Sequence, residues 1–168
     1  LNVDESLLDI KDIAHALSLI CRGNGHVQYF YSVAQHSLAC AKEAKTRGYS
    51  KEVILGCLLH DGSEVYLSDV TRPIKKELTY YLEVEDALQN VIWKHFIQRD
   101  LTKEETKLVF EIDDEMLSLE LKELLNDEIN RNYLKLQRKV DLSFVAFETI
   151  ENEFIEKRWD ESSFFTFT

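Results

Sequence analysis

Proline is almost missing from this chain, with only Pro73 among 168 residues, and glycine occurs five times. These are the strongest local breakers of regular structure, so few interruptions are expected. No stretch alternates apolar and polar residues as a half-buried strand would, and no internal repeat or low-complexity linker is present. Basic residues are scarce as well. Lys and Arg total 20 against 31 Asp and Glu, a net charge of −11. That balance excludes a polynucleotide partner, because duplex binding needs clustered cations to replace counterions. Small anions remain compatible, since a metal and a few local bases, with Arg22, Arg72, Lys75 and Lys76 as the candidates, reverse the potential inside one cleft,. The three cysteines, Cys21, Cys40 and Cys57, sit among apolar residues and lack C-x-x-C spacing. This excludes a disulfide framework or a thiolate zinc cluster and reads as reduced core residues of a cytoplasmic protein. No apolar run approaches the roughly 20 residues that span a bilayer and no signal peptide opens the chain, so no membrane partner is expected.

What remains is an ordinary globular composition, 45% hydrophobic and 30% charged,. A chain of this length buries about 70% of the surface its unfolded form exposes, so a single domain over 1–168 needs no staple for stability. Helical periodicity and capping signals place elements at about Asp12 to Cys21, Ser32 to Arg47 and, from a Ser50 cap, through Leu67,. A short helix follows Pro73, then one from Tyr80 to Phe96. The capping box Thr102-Lys103-Glu104-Glu105 opens another that reaches Leu125, and the last spans Phe144 to Arg158,. The expected fold is all-α.

Residues with metal-binding chemistry interrupt this apolar pattern. The run Val53-Ile54-Leu55-Gly56-Cys57-Leu58-Leu59 leads straight into His60-Asp61. An ionised carboxylate in or near a core is costly unless something positive pairs with it, and a metal ion shared with neutral imidazole supplies that charge. His36 shares a helical face with Val33 and Cys40 and should also point inward,. Glu64 lies four residues after His60 and three after Asp61, which puts a third polar group on the same face. Taken singly, such a histidine is usually a hydrogen-bonded core residue and a His-Asp dipeptide is common; the combination is harder to dismiss. In the helix from Thr102, Val109, Ile112, Met116 and Leu119 form the buried stripe. Asp113 lies beside that stripe, whereas Asp114 aligns with Phe110, Leu117 and Leu121, and spacing leaves either aspartate as a fourth ligand,.

Arg22, Ser32-Val33-Ala34-Gln35-His36-Ser37, His60-Asp61-Gly62-Ser63-Glu64-Val65, Asp69-Val70-Thr71-Arg72-Pro73-Ile74-Lys75 and Asp113 occur in that order. Over residues 12 to 120 this pattern resembles the HD-domain phosphohydrolases, and within them the bacterial 5'-deoxyribonucleotidase-like branch. The resemblance implies a helical bundle with one divalent metal ion held by His36, His60, Asp61 and Asp113. The mixed nitrogen and oxygen set admits Mn, Co, Fe, Ni, Zn or Mg. It further implies catalytic work by Glu64 and Asp69 around a nucleophilic water, with Arg22 and Lys75 near the substrate phosphate. The activity implied is removal of phosphate from nucleoside 5'-monophosphates, deoxyribonucleotides first. Rival readings are a dNTP triphosphohydrolase of the same fold and a nucleotide-sensing module without turnover.

Plainer roles stand beside these: a helix-end charge for Glu64 and Arg22, a cap for Asp69, and surface lysines at Lys75 and Lys76. His26, after the Gly23-Asn24-Gly25 loop, is expected at the mouth of the site as a substrate-binding residue. Tyr29-Phe30-Tyr31 is either a base-stacking cluster or a loop anchor, and His15 and His95 are expected to be structural. The apolar Phe164-Phe165-Thr166-Phe167 is a candidate homodimer contact. One departure from the resemblance concerns sugar choice: the deoxyribonucleotidases carry a bulky tryptophan after the arginine, and here Gly23 stands in that place.

Overall fold

Asp9 starts the first helix by accepting a hydrogen bond from the Lys11 amide, and α1 (Ile10–Leu19) then buries Ile10, Ile13, Ala14 and Leu17 on one face. The computed structural model describes residues 3–125 and 136–159, with side chains as far as 156. The second helix, α2 (Val33–Thr46), opens on a reciprocal capping box in which Ser32 Oγ accepts from the Gln35 amide and the Gln35 side chain from the Ser32 amide,. It stops where Gly48 takes a left-handed φ of 72°, a conformation that costs glycine little,. Ser50 caps α3 (Lys51–Leu59) as expected. The short helices α4 (Glu64–Leu67) and α5 (Arg72–Lys75) follow, then α6 (Thr79–Ile97), α7 (Lys103–Leu125) and α8 (Phe147–Trp159). The Thr102 and Glu105 capping box is present at the start of α7. Among the described residues there is no strand, only an isolated antiparallel bridge between Cys21 and Ser32, so the all-α expectation holds. No helix among them is long and apolar enough to cross a membrane.

The centre of the molecule is the packing of α2, α3 and α7 on one another, with α8 laid across α1 and α2. Leu38, Leu58, Ile112, Met116 and Phe154 are almost fully buried there. The return from α7 to α8 is anchored by buried Glu43 on α2, which accepts from the Gln137 and Arg138 amides and pairs with Arg47. Arg47 also reaches Glu115 on α7.

Two boundaries differ from the sequence reading in ways that matter for the site. The helix expected to run from Ser50 through Leu67 breaks after Leu59, and tight turns close through Gly62 N to Leu59 O at 2.9 Å and Glu64 N to Asp61 O at 3.0 Å. Gly62 permits the break. A Cβ there would meet Leu59 O at 3.0 Å and Ile92 Cγ2 at 3.1 Å. Gln89 of α6 satisfies the groups the break exposes, accepting from the Ser63 amide at 3.1 Å and donating to Leu59 O at 2.8 Å,. Arg22, expected at the end of the first helix, lies beyond it in a short 3-10 turn, Arg22–Gly25. The run Phe164 to Phe167 falls outside the described residues.

Gly56 sets the distance between α3 and α7: a Cβ at this position would lie 2.8 Å from Val109 Cγ2 and 3.2 Å from Leu101 Cδ1. Valine is stiff at χ1 and cannot swing away. Gly56→Ala gains about 1 kcal/mol of helix propensity but overpacks the core at a cost of about 1–3 kcal/mol. A net loss of stability is expected, read as a lower urea midpoint at unchanged slope; an equal or higher midpoint would refute the close approach.

Candidate metal centre

His36 lies in the middle of α2, His60 at the C-cap of α3, Asp61 in the turn after it and Asp113 midway along α7, and the three-helix packing brings them together. His36 Nε2 and His60 Nε2 face each other at 3.1 Å, and Asp113 Oδ1 lies 3.1 Å from the first and 3.6 Å from the second. Asp61 Oδ1 is 3.4 Å from His60 Nε2, and its Oδ2 is 3.9 Å from His36 Nε2. Cys40, one turn beyond His36, brings Sγ to 3.6 Å from the same nitrogen. His36, Cys40 and His60 form a buried group whose ligand atoms all lie within 4.8 Å of one another. Ligands about 2.0–2.3 Å from a shared ion must sit roughly 3–4.5 Å apart, and these spacings meet that condition. Asp113 is buried with Oδ1 toward the histidines, whereas the Asp114 side chain is exposed and bonds Arg72 at 2.5 Å, so the two neighbouring aspartates divide as Asp113 inward and Asp114 outward.

The chemistry of the donors agrees with the spacing. His60 Nδ1 lies 2.7 Å from Cys57 O, which can only accept, so Nδ1 carries the proton. His36 Nδ1 lies 2.7 Å from Glu120 Oε1. Burial resists ionisation of Glu120, but His36 and Arg22 hold its pKa below the usual carboxylate value, so it too accepts. Both imidazoles therefore direct Nε2 lone pairs at each other, an arrangement that requires a cation between them. A proton can serve. Against burial and the Arg22 charge, Cys40, Glu120 and Asp113 lift the His36 pKa well above the ordinary imidazole value. Asp113 is held well below the carboxylate range, against burial, by the neighbouring His36 and His60. Asp61 is also lowered, against burial, by His60 and Arg22. A divalent ion would take the proton's place, and the residues present fit one.

The other expected site residues distribute unevenly. Arg22 is pinned by the bridge at its back, where its amide donates to Tyr31 O at 2.9 Å. Its guanidinium reaches Asp61 at 3.3 Å, Glu120 at 3.3 Å and His36 Nε2 at 3.4 Å, contacts at the long end of hydrogen bonding,. Glu64 is buried beside the centre, and its Oε2 has no hydrogen-bond partner. Burial first, then the charges of Asp61 and Asp69, push its pKa well up. Asp69 does not cap the next segment; its Oδ2 accepts from the Gly23 amide at 3.0 Å and ties two loops together. Lys75 bonds Glu85 at 2.7 Å and stands 3.9 Å from Glu64. His26 is exposed on the rim. All of these line one cavity of about 600 Å³, whose lining also includes the apolar Val27, Phe110, Leu117, Leu121 and Leu124.

Tyr31 is buried and Tyr29 bonds Leu142 O at 3.0 Å, so these rings anchor the loop. His15 pairs with Glu151 at the surface and His95 packs edge-on against Phe96, both away from the centre. Two participants were not assigned from sequence. Cys40, read as core, is buried with its thiol pushed up to about 11 by burial, yet faces the histidines. Glu120 lies seven residues after Asp113, two helical turns along the same face, and that spacing was its available signal.

The geometry defines a helical protein with a buried candidate metal site. No protein-family model matches the chain. It is similar to YfdR, an uncharacterized protein of Escherichia coli (strain K12), with 40% identity over 83 residues, 49% of this chain and 44% of the relative. It is also similar to an uncharacterized protein of Rhodobacter capsulatus, with 37% identity over 95 residues, 53% of this chain and 48% of the relative. The chain thus spans less than half the length of the curated relatives it matches.

Removing one donor weakens the remaining set directly, so His60→Ala and Asp61→Ala should each lose bound metal. Asp113→Ala should do the same while Asp114→Ala retains it, by elemental analysis of the purified proteins; the reverse result would move the centre by one residue along α7. Because an incoming ion displaces the proton from His36, metal affinity should rise with pH. Calorimetric titration at two pH values checks this, and a pH-independent affinity would exclude the facing lone pairs.

Proposed function

We propose that this chain is a metal-dependent phosphohydrolase of the HD-domain type, removing phosphate from nucleoside 5'-monophosphates. The observation that carries the reading is the pair of facing imidazole nitrogens with Asp61 and Asp113, of which His60, Asp61 and Asp113 line the cavity beside a buried glutamic acid that has a free oxygen. His36, His60, Asp61 and Asp113 would hold the ion, with Cys40 as a neighbouring donor. The ion would supply Lewis acidity to a phosphoryl oxygen and to a water molecule.

The chain's own groups account for the rest. Glu64, whose pKa is raised by burial and by the charges of Asp61 and Asp69, donates a proton to the departing sugar oxygen,. Leaving its Oε2 buried and unpaired costs stability, and a module that only binds nucleotide gains nothing from that cost,. Glu120 fixes the tautomer of His36, as the Cys57 carbonyl fixes that of His60,. The apolar wall of α7 receives the nucleoside, and the cavity volume lies within the range of small-molecule sites,. Asp69 shapes the mouth by holding Gly23.

Gly23 bears on sugar choice. It lines the cavity with a left-handed φ of 57°, and a Cβ built there meets nothing within 4 Å. With no side chain to crowd a 2'-hydroxyl, discrimination against ribonucleotides should be at most about tenfold, or roughly 1.4 kcal/mol in transition-state binding.

A phosphate-release panel over nucleotides with several divalent metals tests the activity, and release of triphosphate in place of phosphate would shift the reading to a dNTP triphosphohydrolase. Glu64→Ala should keep its metal while turnover falls by about two to four orders of magnitude; loss of metal with unchanged chemistry per occupied site would make Glu64 a ligand. A deoxy preference above roughly a hundredfold in kcat/KM would remove the role given to Gly23.

A further inference from the structure

The arginine and lysine side chains on the cavity wall are paired with carboxylates, and the pairs differ in how readily they exchange. Arg22 is only 12% exposed and is engaged by Asp61 and Glu120. Lys75 is 19% exposed and bonded to Glu85, with Glu64 behind it. Arg72 is 50% exposed. Its two terminal nitrogens fork onto adjacent aspartates, Nη2 to Asp113 Oδ2 at 2.6 Å and Nη1 to Asp114 Oδ1 at 2.5 Å. The Asp114 half of this fork is a surface pair, its carboxylate 64% exposed, and holds the guanidinium weakly,. The Asp113 half depends on a carboxylate whose other oxygen faces the histidine nitrogens.

We propose that Arg72 is the residue that receives the phosphoryl group of the substrate, exchanging its two aspartates for two phosphate oxygens once Asp113 shares its charge with a cation. This rests on the phosphohydrolase reading above. With a divalent ion held by His36, His60, Asp61 and Asp113, Asp113 Oδ1 would share its charge with the ion, and the hold of the opposite oxygen on Arg72 would weaken. The planar fork that spans two carboxylate oxygens suits two oxygens of a phosphate dianion equally well. The loop that leads to it is held, since Asp69 is tied to Gly23 and Tyr81 donates to Ser68 O at 2.9 Å, while the half-exposed side chain is held only by its two aspartates. With Arg22 and Lys75 committed to buried or part-buried carboxylates, the wall offers an exchangeable anion receptor at Arg72. That receptor opens when the cation is present, so phosphate binding follows metal binding.

The test is calorimetric titration of inorganic phosphate into the full chain with and without Mn²⁺, for wild type, Arg72→Ala, Arg72→Lys and Lys75→Ala, with bound Mn²⁺ measured in each. Wild type should bind phosphate only when loaded with Mn²⁺. Arg72→Ala should keep Mn²⁺ and bind phosphate about ten- to hundredfold more weakly, the scale of losing hydrogen bonds to a charged group. Arg72→Lys should recover part of that loss, and Lys75→Ala should lose less. Phosphate affinity in Mn²⁺-loaded Arg72→Ala within about twofold of wild type overturns the assignment, as does a larger loss in Lys75→Ala. Loss of Mn²⁺ from Arg72→Ala also overturns it, making Arg72 a brace for Asp113. Failure of Mn²⁺-loaded wild type to bind phosphate would instead remove the phosphohydrolase reading itself.

Discussion

Two imidazole lone pairs directed at each other across 3.1 Å, flanked by two carboxylates, form a constraint that the protein must meet with positive charge. Much of the molecule serves it. The Cys57 carbonyl and Glu120 fix the two tautomers from behind, and Arg22 leans over the group with long contacts to Asp61, Glu120 and His36. Burial alone would neutralise the carboxylates and the His36 imidazole; the charges of one stabilise the ionised form of the other,. Proton and metal ion are alternative occupants of one electrostatic well, and the thiol of Cys40 borders it.

The helices are arranged to create this well rather than merely to enclose it. Each of α2, α3 and α7 contributes at least one donor, so the core packing of Leu38, Leu58, Ile112 and Met116 is also what sets the distances among the polar atoms. The break after α3 is part of the same arrangement. Had the helix continued, Asp61 would have been fixed by helical geometry and the backbone amide of Ser63 would have been bonded internally. Instead Gln89 takes that amide, and the turn through Gly62 aims Asp61 and Glu64 separately at the cavity.

Much of this was legible in the sequence because burying histidine or aspartate within an apolar run has a physical cost that demands a reason. His36, His60, Asp61 and Asp113 stand out on that ground, and the helical stripe of α7 narrowed the aspartate to two neighbours of which the inward one is Asp113. The order of helices followed from caps: Ser50 and the Thr102 box both act as read. Other features were hidden for reasons equally physical. Cysteine packs like a small apolar residue, so Cys40 looked like core. The break at Gly62 depends on close approach of Ile92 from another helix, a tertiary fact that no local pattern contains. Asp69 beside a short helix resembles a cap, and only the fold shows that its partner is the Gly23 amide, a contact made across 46 residues of sequence.

The isolated bridge between Cys21 and Ser32 closes the neck of the loop that follows Arg22. Arg22 is thereby fixed to the core side of the neck, through its amide on Tyr31 O, while Val33 is held symmetrically by Ile20 O at 3.0 Å. The stretch between is tied down along its length, Gly23 to Asp69, Gln28 to Leu124 O and Tyr29 to Leu142 O, and leaves His26 exposed at the cavity rim. Exposed side chains such as His26 can change without disturbing the position of Arg22 or the start of α2. The fold thus separates an inner part, where spacing among ionisable groups tolerates little variation, from a rim on which natural divergence or deliberate redesign can act to alter what enters.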